Sequence, residues 1–274
     1  MRITSIYDNT ELANKVKIPW LGYGTYKAHG DELIEGVKYA LSIGYRLIDT
    51  AEMYENEEEI GKAIRQSKIP RDEIFITSKV WNTNQGFEST LNSFENSLKR
   101  LGTDYLDLYL IHWPVSGRYI ETWKALEKLY KEGRVRAIGV SNFLIHHLQD
   151  IINNCEITPM VNQVEFHPYL LQRDLLDFCQ RNKIQLEAWS PLMRGRVQNI
   201  PQIVDIANKY KKTPAQIVLR WDLQHGVVTI PKSVHKERIK ENADIFDFEL
   251  TEEEMKIIDN LDQSKRFGAN PDDF

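Results

Sequence analysis

Short apolar runs alternate with amphipathic segments along nearly the whole chain. The runs at 46–49, 73–79 and 105–111 have the length and composition of buried strands. The segment 31–43 carries apolar residues at helical spacing and stops before Gly44, a residue type common at helix ends. Eight strand–helix units of this kind predict an α/β fold, a single (β/α)8 barrel of the TIM type, because parallel strands need helical connections.

Three further segments lie outside the eight units. Residues 3–17 precede the first unit, and we expect a hairpin there that covers the bottom of the barrel. The stretches 200–210 and 214–224 predict one extra helix between the seventh and eighth strands, and 252–261 predicts a C-terminal helix. No change of composition divides the chain, so residues 1–274 are predicted to form one domain. Asn56 and Glu59 have the spacing of a capping box at the start of the helix 56–66.

A doubly wound open sheet is the alternative arrangement of these strands and helices. Such folds usually begin with a strand, a GxGxxG turn and a helix. Residues 22–25 read Gly-Tyr-Gly-Thr and residue 27 is a lysine, so the glycine fingerprint is absent. The sequence therefore favours the barrel.

The composition is that of an ordinary globular enzyme, with 42% hydrophobic and 27% charged residues among 274. A formal net charge of −5 argues against general nucleic-acid binding. No apolar run is long enough to span a membrane and the start shows no signal peptide, so a cytoplasmic location is expected. Cys155 and Cys179 are expected to be buried, reduced thiols rather than a disulfide framework.

A charged or titratable residue follows each of three consecutive apolar runs. These residues are Asp49, Lys79 and His112, and Tyr54 lies five positions beyond Asp49. The carboxyl ends of barrel strands face a common site, so we expect the four side chains to meet. Each residue alone has an ordinary structural explanation, but their joint placement makes them candidates for catalysis.

An acid, a tyrosine, a lysine and a histidine at one point can reduce a carbonyl if a hydride is available. A free tyrosine has a pKa of about 10, and a neighbouring ammonium is expected to lower it. Asp49 can hold Lys79 charged, and a neutral His112 can donate a hydrogen bond to a carbonyl oxygen. Together they could protonate the oxygen as it becomes an alkoxide.

The ends of the later strands carry groups that suit a hydride-carrying cofactor. Amide and hydroxyl side chains follow strand five and lie on strand six, and an aromatic ring ends strand seven, which together suit a nicotinamide. Basic and hydroxyl groups after strand eight lie at a helix start and suit a phosphate. In chain order these residues are Ser141, Asn142, Gln163, Trp189, Lys232, Ser233 and Arg238.

With these motifs in place, the chain resembles the aldo-keto reductase family over nearly its whole length. The resemblance implies that NADPH delivers hydride to an aldehyde or ketone, with Tyr54 as general acid and Asp49, Lys79 and His112 completing a catalytic tetrad. The segments that carry it are 22–26, 49–57, 78–81, 108–114, 139–143, 162–163, 230–233 and 238–242.

The resemblance also implies roles for the residues around the tetrad. Tyr26, Trp81, His112 and Trp113 would line the substrate pocket. The residues implied for NADP(H) binding are Gly24, Thr25, Ser141, Asn142, Gln163, Trp189, Ser190, Leu192, Lys232, Ser233, Val234, Arg238, Glu241 and Asn242.

The loops are similar to those of compact prokaryotic members of the family. The loop 114–120 and the tail 263–274 are short, which predicts an open pocket and small substrates. Members of this type reduce 2-oxoaldehydes such as glyoxal and methylglyoxal, or diketogluconates, and a monomer is their default state. A keto-sugar reductase and a non-catalytic NADPH-binding regulatory module are the alternatives. A metal-dependent hydrolase is disfavoured, because the histidines are dispersed and the adjacent His146 and His147 should point in different directions.

Overall fold

The computed structural model describes residues 3–274. The strands are β1 (Asn9–Glu11), β2 (Lys17–Pro19), β3 (Gly22–Gly24), β4 (Leu47–Asp49), β5 (Phe75–Val80), β6 (Leu106–Ile111), β7 (Val135–Ser141), β8 (Val161–Glu165), β9 (Gln185–Trp189) and β10 (Val228–Thr229). The helices are α1 (Gly30–Ser42), α2 (Glu57–Ser67), α3 (Phe87–Leu101), α4 (Tyr119–Lys131), α5 (Ile145–Asn154), α6 (Arg173–Arg181), α7 (Pro201–Tyr210), α8 (Pro214–Gln224), α9 (Lys236–Ala243) and α10 (Glu252–Asp259).

Strands β3 to β10 form one parallel sheet in chain order, which confirms the predicted (β/α)8 barrel. The sheet closes where Thr229 N donates to Trp20 O at 3.0 Å and Gly24 N donates to Pro231 O at 3.2 Å. Helices cover the outside, so β5 and β6 are buried at every position. The carboxyl ends of all eight strands thus lie at one end of the barrel.

The predicted N-terminal hairpin is present at the opposite end. Its strands β1 and β2 are antiparallel, with Thr10 opposite Ile18. The Thr10 hydroxyl donates to Oε1 of Gln185, the first residue of β9, and Asn14 Nδ2 donates to Arg136 O near the start of β7. The hairpin therefore covers the N-terminal ends of the strands and leaves the other end to the loops.

The predicted capping box at Asn56 is wrong. The Asn56 side chain makes no cap hydrogen bond to α2. It accepts from the Thr50 hydroxyl at 2.7 Å and donates to the carbonyls of Thr25 and Ala28, both at 3.0 Å. A buried amide satisfies more of its hydrogen-bonding capacity there than at the cap, and it ties the loop after β3 to the loop after β4.

The predicted end of α3 is confirmed. Gly102 ends the helix in the left-handed region, with φ 68°, and its N–H donates to Leu98 O at 2.8 Å. Both cysteines are free thiols, and Cys179 is buried as expected, but Cys155 is only half-buried. Among residues 3–274, no helix combines the length and apolar character needed to cross a membrane.

Candidate active site

The structure brings the four predicted catalytic side chains together. The Lys79 ammonium lies 2.8 Å from each carboxylate oxygen of Asp49, 2.9 Å from Thr50 O and 3.4 Å from the Tyr54 hydroxyl. Asp49 and Lys79 are buried. An ammonium with this many oxygen partners is fixed in position, with one donor directed at the phenol.

A short 3-10 turn, Glu52–Tyr54, carries the tyrosine to this point. The carboxylate of Glu52 accepts from Trp81 N at 3.0 Å, Asn84 Nδ2 at 2.7 Å and Ser93 Oγ at 2.8 Å. These bonds attach the turn to the end of β5 and to α3, and so they hold Tyr54 over Lys79. The role of Glu52 could not be predicted from the sequence, because its partners lie far away along the chain.

The expected lowering of the Tyr54 pKa is wrong in its net direction. Burial raises the pKa of the phenol to about 12, although Lys79 acts in the lowering direction. The nearby Asp49 carboxylate adds to the increase. Desolvation outweighs one ammonium whose charge is already balanced by a carboxylate, so Tyr54 is a protonated phenol at neutral pH.

His112 is neutral and lies beside the phenol. Burial and the Lys79 charge hold its pKa well below the ordinary value for histidine. Its ring lies edge-on to Tyr54, with centroids 5.7 Å apart, and to Trp81 at 5.1 Å. Nδ1 is buried without a hydrogen-bond partner among residues 3–274, which leaves Nε2 as the nitrogen that can face a ligand.

Asn142 connects His112 to the ring predicted to stack on nicotinamide. Its backbone has φ 66°, a left-handed conformation that asparagine tolerates. Its Nδ2 donates to His112 O at 3.0 Å and to Ser141 Oγ at 3.1 Å, and its Oδ1 accepts from Trp189 Nε1 at 2.8 Å. The hydrogen bond fixes the rotation of the half-buried Trp189 ring.

Gln163 connects Ser141 to Asp49 of the predicted tetrad from inside the barrel. Its backbone carbonyl accepts from Ser141 Oγ at 2.9 Å. Its Nε2 donates to Asp49 Oδ1 at 2.8 Å and to Glu187 Oε2 at 3.1 Å. Both amide hydrogens are therefore used, and the amide oxygen is left as an acceptor.

The predicted phosphate-binding residues lie between β10 and the first turns of α9. Lys232 and Arg238 are exposed and make no ion pair with any residue in 3–274. The Lys232 ammonium lies 3.4 Å from Lys27 O, and burial lowers its pKa. The Ser233 hydroxyl accepts from His235 N at 3.1 Å. Two cations without carboxylate partners beside a hydroxyl group at a helix start fit a phosphate group.

The remaining predicted cofactor residues lie at the ends of the barrel strands, on the loops that follow them and on α9. Two of them, Thr25 and Glu241, already have hydrogen-bond partners. The Thr25 hydroxyl donates to Asp49 O at 2.8 Å, and Glu241 Oε1 accepts from Thr213 Oγ1 at 2.9 Å. A Cβ on Gly24 would come within 2.7 Å of Ile230 O, so only glycine fits there. Asn242 is buried, and Ser190, Leu192 and Val234 are half-buried.

Aromatic rings surround the mouth of the site. Tyr26 is 45% exposed, and its ring centroid lies 5.0 Å from that of Tyr54. Trp113 stacks on His112 at 6.5 Å and on Phe274 at 4.3 Å. The position of Phe274 could not be predicted from the sequence, because the tail has no periodic pattern that indicates its path.

The short tail reaches the walls of the predicted pocket, whose openness stays a prediction. Besides the Phe274 contact, Glu165 Oε1 accepts from Phe267 N at 2.8 Å and Glu165 Oε2 from Gly268 N at 3.1 Å. A Cβ on Gly268 would lie 2.4 Å from Cη2 of Trp189. The tail therefore packs against the edge of the Trp189 ring, and only glycine allows this approach.

The expectation that His146 and His147 point in different directions is also wrong. Their Nε2 atoms lie 3.0 Å and 3.7 Å from Asp272 Oδ1, and their rings pack with centroids 3.9 Å apart. These three side chains could in principle hold a metal ion. However, His147 Nδ1 accepts from Leu144 N, which places the proton of the neutral ring on Nε2. The Nε2–H of His147 therefore faces the Asp272 carboxylate, which accounts for the arrangement without a metal ion.

Comparison with known proteins agrees with this geometry. The model of the aldo/keto reductase family matches residues 20–263. Glyoxal reductase of Bacillus subtilis is 58% identical over 99% of both chains, and methylglyoxal reductase DkgA of Escherichia coli K12 is 48% identical over 94% of both. The crystal structure of a Gox0644 point mutant in complex with NADPH superposes with a TM-score of 0.93 and 44% identity, over 97% of each chain. The chain belongs to the aldo/keto reductase family of oxidoreductases.

Proposed function

We propose that the chain reduces aldehydes and ketones with NADPH and that Tyr54 is the general acid, with residues 1–274 acting as one domain. The observation that carries this proposal is the Lys79 ammonium, held by both oxygens of Asp49 and 3.4 Å from the Tyr54 hydroxyl. A relative crystallised with NADPH and two cations free of carboxylate partners at the start of α9 support the choice of cofactor. A monomer in the cytoplasm stays the prediction made from the sequence.

The side chains divide the reaction among them. When bound, the dihydronicotinamide supplies the hydride. His112 donates from Nε2 to the carbonyl oxygen and polarises it, and Tyr54 transfers its proton to that oxygen as negative charge develops there. Lys79 then stabilises the phenolate, and Asp49 keeps the ammonium in place.

The charge states agree with these roles. Burial keeps the pKa of Tyr54 at about 12, so the proton is present on the acid at neutral pH. Burial and Lys79 keep the pKa of His112 low, so the imidazole is a neutral donor and brings no second positive charge. The Tyr54 phenolate forms next to the Lys79 ammonium, which already contacts the hydroxyl. The attraction between the two charges lowers the free energy needed to form the phenolate.

We further propose that small 2-oxoaldehydes such as glyoxal and methylglyoxal are the substrates. The names of the relatives from Bacillus subtilis and Escherichia coli support this choice. The aromatic rings of Trp81, Trp113 and Phe274 form apolar walls beside His112, which suit a small substrate with few hydroxyl groups. A keto-sugar reductase, the alternative, would need hydroxyl-binding side chains, so kcat/KM for methylglyoxal should exceed that for 2,5-diketogluconate.

Tyr54→Phe tests the reaction and separates an enzyme from a binding module. We expect kcat to fall at least about 100-fold, because the proton donor in contact with Lys79 is removed. The Kd for NADPH, measured by fluorescence titration, should stay within about twofold. Tyr7→Phe is the matched control, since Tyr7 is 63% exposed and far from the site in the fold. Full turnover in Tyr54→Phe would exclude the assigned role.

A further inference from the structure

A second carboxyl group lies inside the barrel next to the tetrad. Glu187 is in the middle of β9, fully buried, and pairs in register with Gln163 of β8. Its Oε2 accepts from Gln163 Nε2 at 3.1 Å, and the same nitrogen donates to Asp49 Oδ1 at 2.8 Å. Its Oε1 has no hydrogen-bond partner among residues 3–274. One amide group thus joins two carboxyl groups that differ greatly in their surroundings.

The surroundings favour a proton on Glu187 and a charge on Asp49. The two charged groups that act on Glu187 are Asp49 of β4 and Lys79 of β5, and the ammonium contacts Asp49 directly. On the flanking strands, the residues in register with it are Gln163 and Val228, which are uncharged. Burial raises the pKa of Glu187, Asp49 raises it further, and the hydrogen bond from Gln163 and the charge of Lys79 only partly offset this, giving about 8.

We propose that Glu187 is a positioning residue of the reductase site that acts as a neutral carboxyl group. The proposal rests on the proposed function, since it gives Glu187 a role through Gln163 and Tyr54. Together with Asp49, Glu187 uses both hydrogens of the Gln163 amide, which leaves the amide oxygen to accept from a cofactor carboxamide. In its neutral form it also leaves Lys79 paired with a single carboxylate.

Loss of the proton from Glu187 should slow the reaction. The amide of Gln163 would then join two carboxylates, and a second negative charge would hold the Lys79 proton more strongly and oppose formation of the Tyr54 phenolate. We expect the reduction rate to fall about tenfold as pH rises through about 8. This is the change expected if the lost proton raises the pKa of the Tyr54 phenol by about one unit. Tyr54 itself stays protonated in this range, because its pKa is about 12.

Glu187→Gln tests this role, because glutamine keeps an acceptor for Gln163 and cannot ionise. Single-turnover oxidation of NADPH by methylglyoxal is measured from about pH 6 to about pH 9.5, on either side of the expected titration. At about pH 6.5 the variant should react within about threefold of the wild type, and its alkaline fall should be absent. A merely structural role would lower the rate equally at every pH, and either that result or an unchanged alkaline fall would overturn the proposal.

Asp222→Asn is the matched control. Asp222 is also a fully buried acid with one unpartnered oxygen, and burial raises its pKa, but it lies on α8 and accepts from the Thr229 hydroxyl at 2.7 Å. Its hydrogen bonds do not include Gln163. Its replacement should leave the alkaline fall of the wild type in place.

A spectroscopic titration tests the charge state without any turnover. The wild type, labelled with 13C at the side-chain carboxyl of glutamate, should show one resonance that titrates near a pH of about 8. That titration should be missing in Glu187→Gln, and its absence from the wild type overturns the proposal even if the variant does not fold. Because no reaction is measured, the titration can fail while the Tyr54→Phe experiment succeeds, and the reverse also holds.

Discussion

Gly268→Ala is expected to weaken cofactor binding although residue 268 lies in the tail. The added Cβ would be 2.4 Å from Cη2 of Trp189, whereas carbon atoms in ordinary contact are 3.4 Å or more apart. The ring or the tail must therefore move by about 1 Å. The tail is held by hydrogen bonds from two backbone amides, those of Phe267 and Gly268, to the Glu165 carboxylate, and the ring by one neutral hydrogen bond to Asn142.

The weaker attachment should give way, so we expect the Trp189 ring to move. Loss of one neutral hydrogen bond costs about 1 kcal/mol, which corresponds to about a fivefold increase in the Kd for NADPH. Fluorescence titration measures that Kd directly. Gly133→Ala is the control, because it introduces the same methyl group where nothing lies within 4 Å, and it strains a backbone with φ 71° away from the site.

Trp189→Ala completes the test of this reasoning. If Trp189→Ala weakens NADPH binding and Gly268→Ala leaves it unchanged, the tail does not position the ring. If neither variant changes the Kd, Trp189 does not contact the nicotinamide, and that part of the proposed cofactor site is misplaced.

Two further variants test the phosphate site and the tail. Arg238→Ala should raise the KM for NADPH about tenfold and change that for NADH little, because a charge-assisted bond to the 2′-phosphate is lost; equal effects on both cofactors would show that Arg238 does not bind that phosphate. Burial acts to raise the pKa of Glu165, but hydrogen bonds from His167 and the amides of Phe267 and Gly268 lower it below 4.5. The stability advantage of the wild type over Glu165→Gln in urea unfolding should therefore be complete above about pH 4.5 and shrink as pH falls through the lowered pKa; an advantage that does not change with pH would contradict this.

Patterns along the chain were sufficient to predict the barrel and the meeting of the four candidate side chains. The barrel strands are short, buried and followed by amphipathic helices, so the fold follows from local periodicity. Strand ends meet by topology, which placed Asp49, Lys79 and His112 together without knowledge of any contact. Glu187 also carries such a signal, since it is an acid between the apolar residues Leu186 and Ala188 of a strand.

The features that could not be predicted depend on contacts between distant residues. Asn56 has the local signal of a helix cap, but its side-chain amide donates instead to the carbonyls of Thr25 and Ala28 on another loop. The sign of the Tyr54 pKa shift depends on how completely the ring is buried, which no spacing reveals. The approach of Gly268 to Trp189 depends on the path of a tail without periodicity.

The contact between Gly268 and Trp189 also sets an order of assembly. Every strand of the barrel is complete before residue 230, whereas the ring on β9 meets its neighbour in the tail only after residue 268 has been made. A chain that leaves the ribosome N-terminus first can thus close its whole sheet while Trp189 is still free to rotate. The Trp189 side of the pocket therefore reaches its final geometry only after the sheet has closed, and full affinity for cofactor should arise only once residue 268 has been made and packed against the ring.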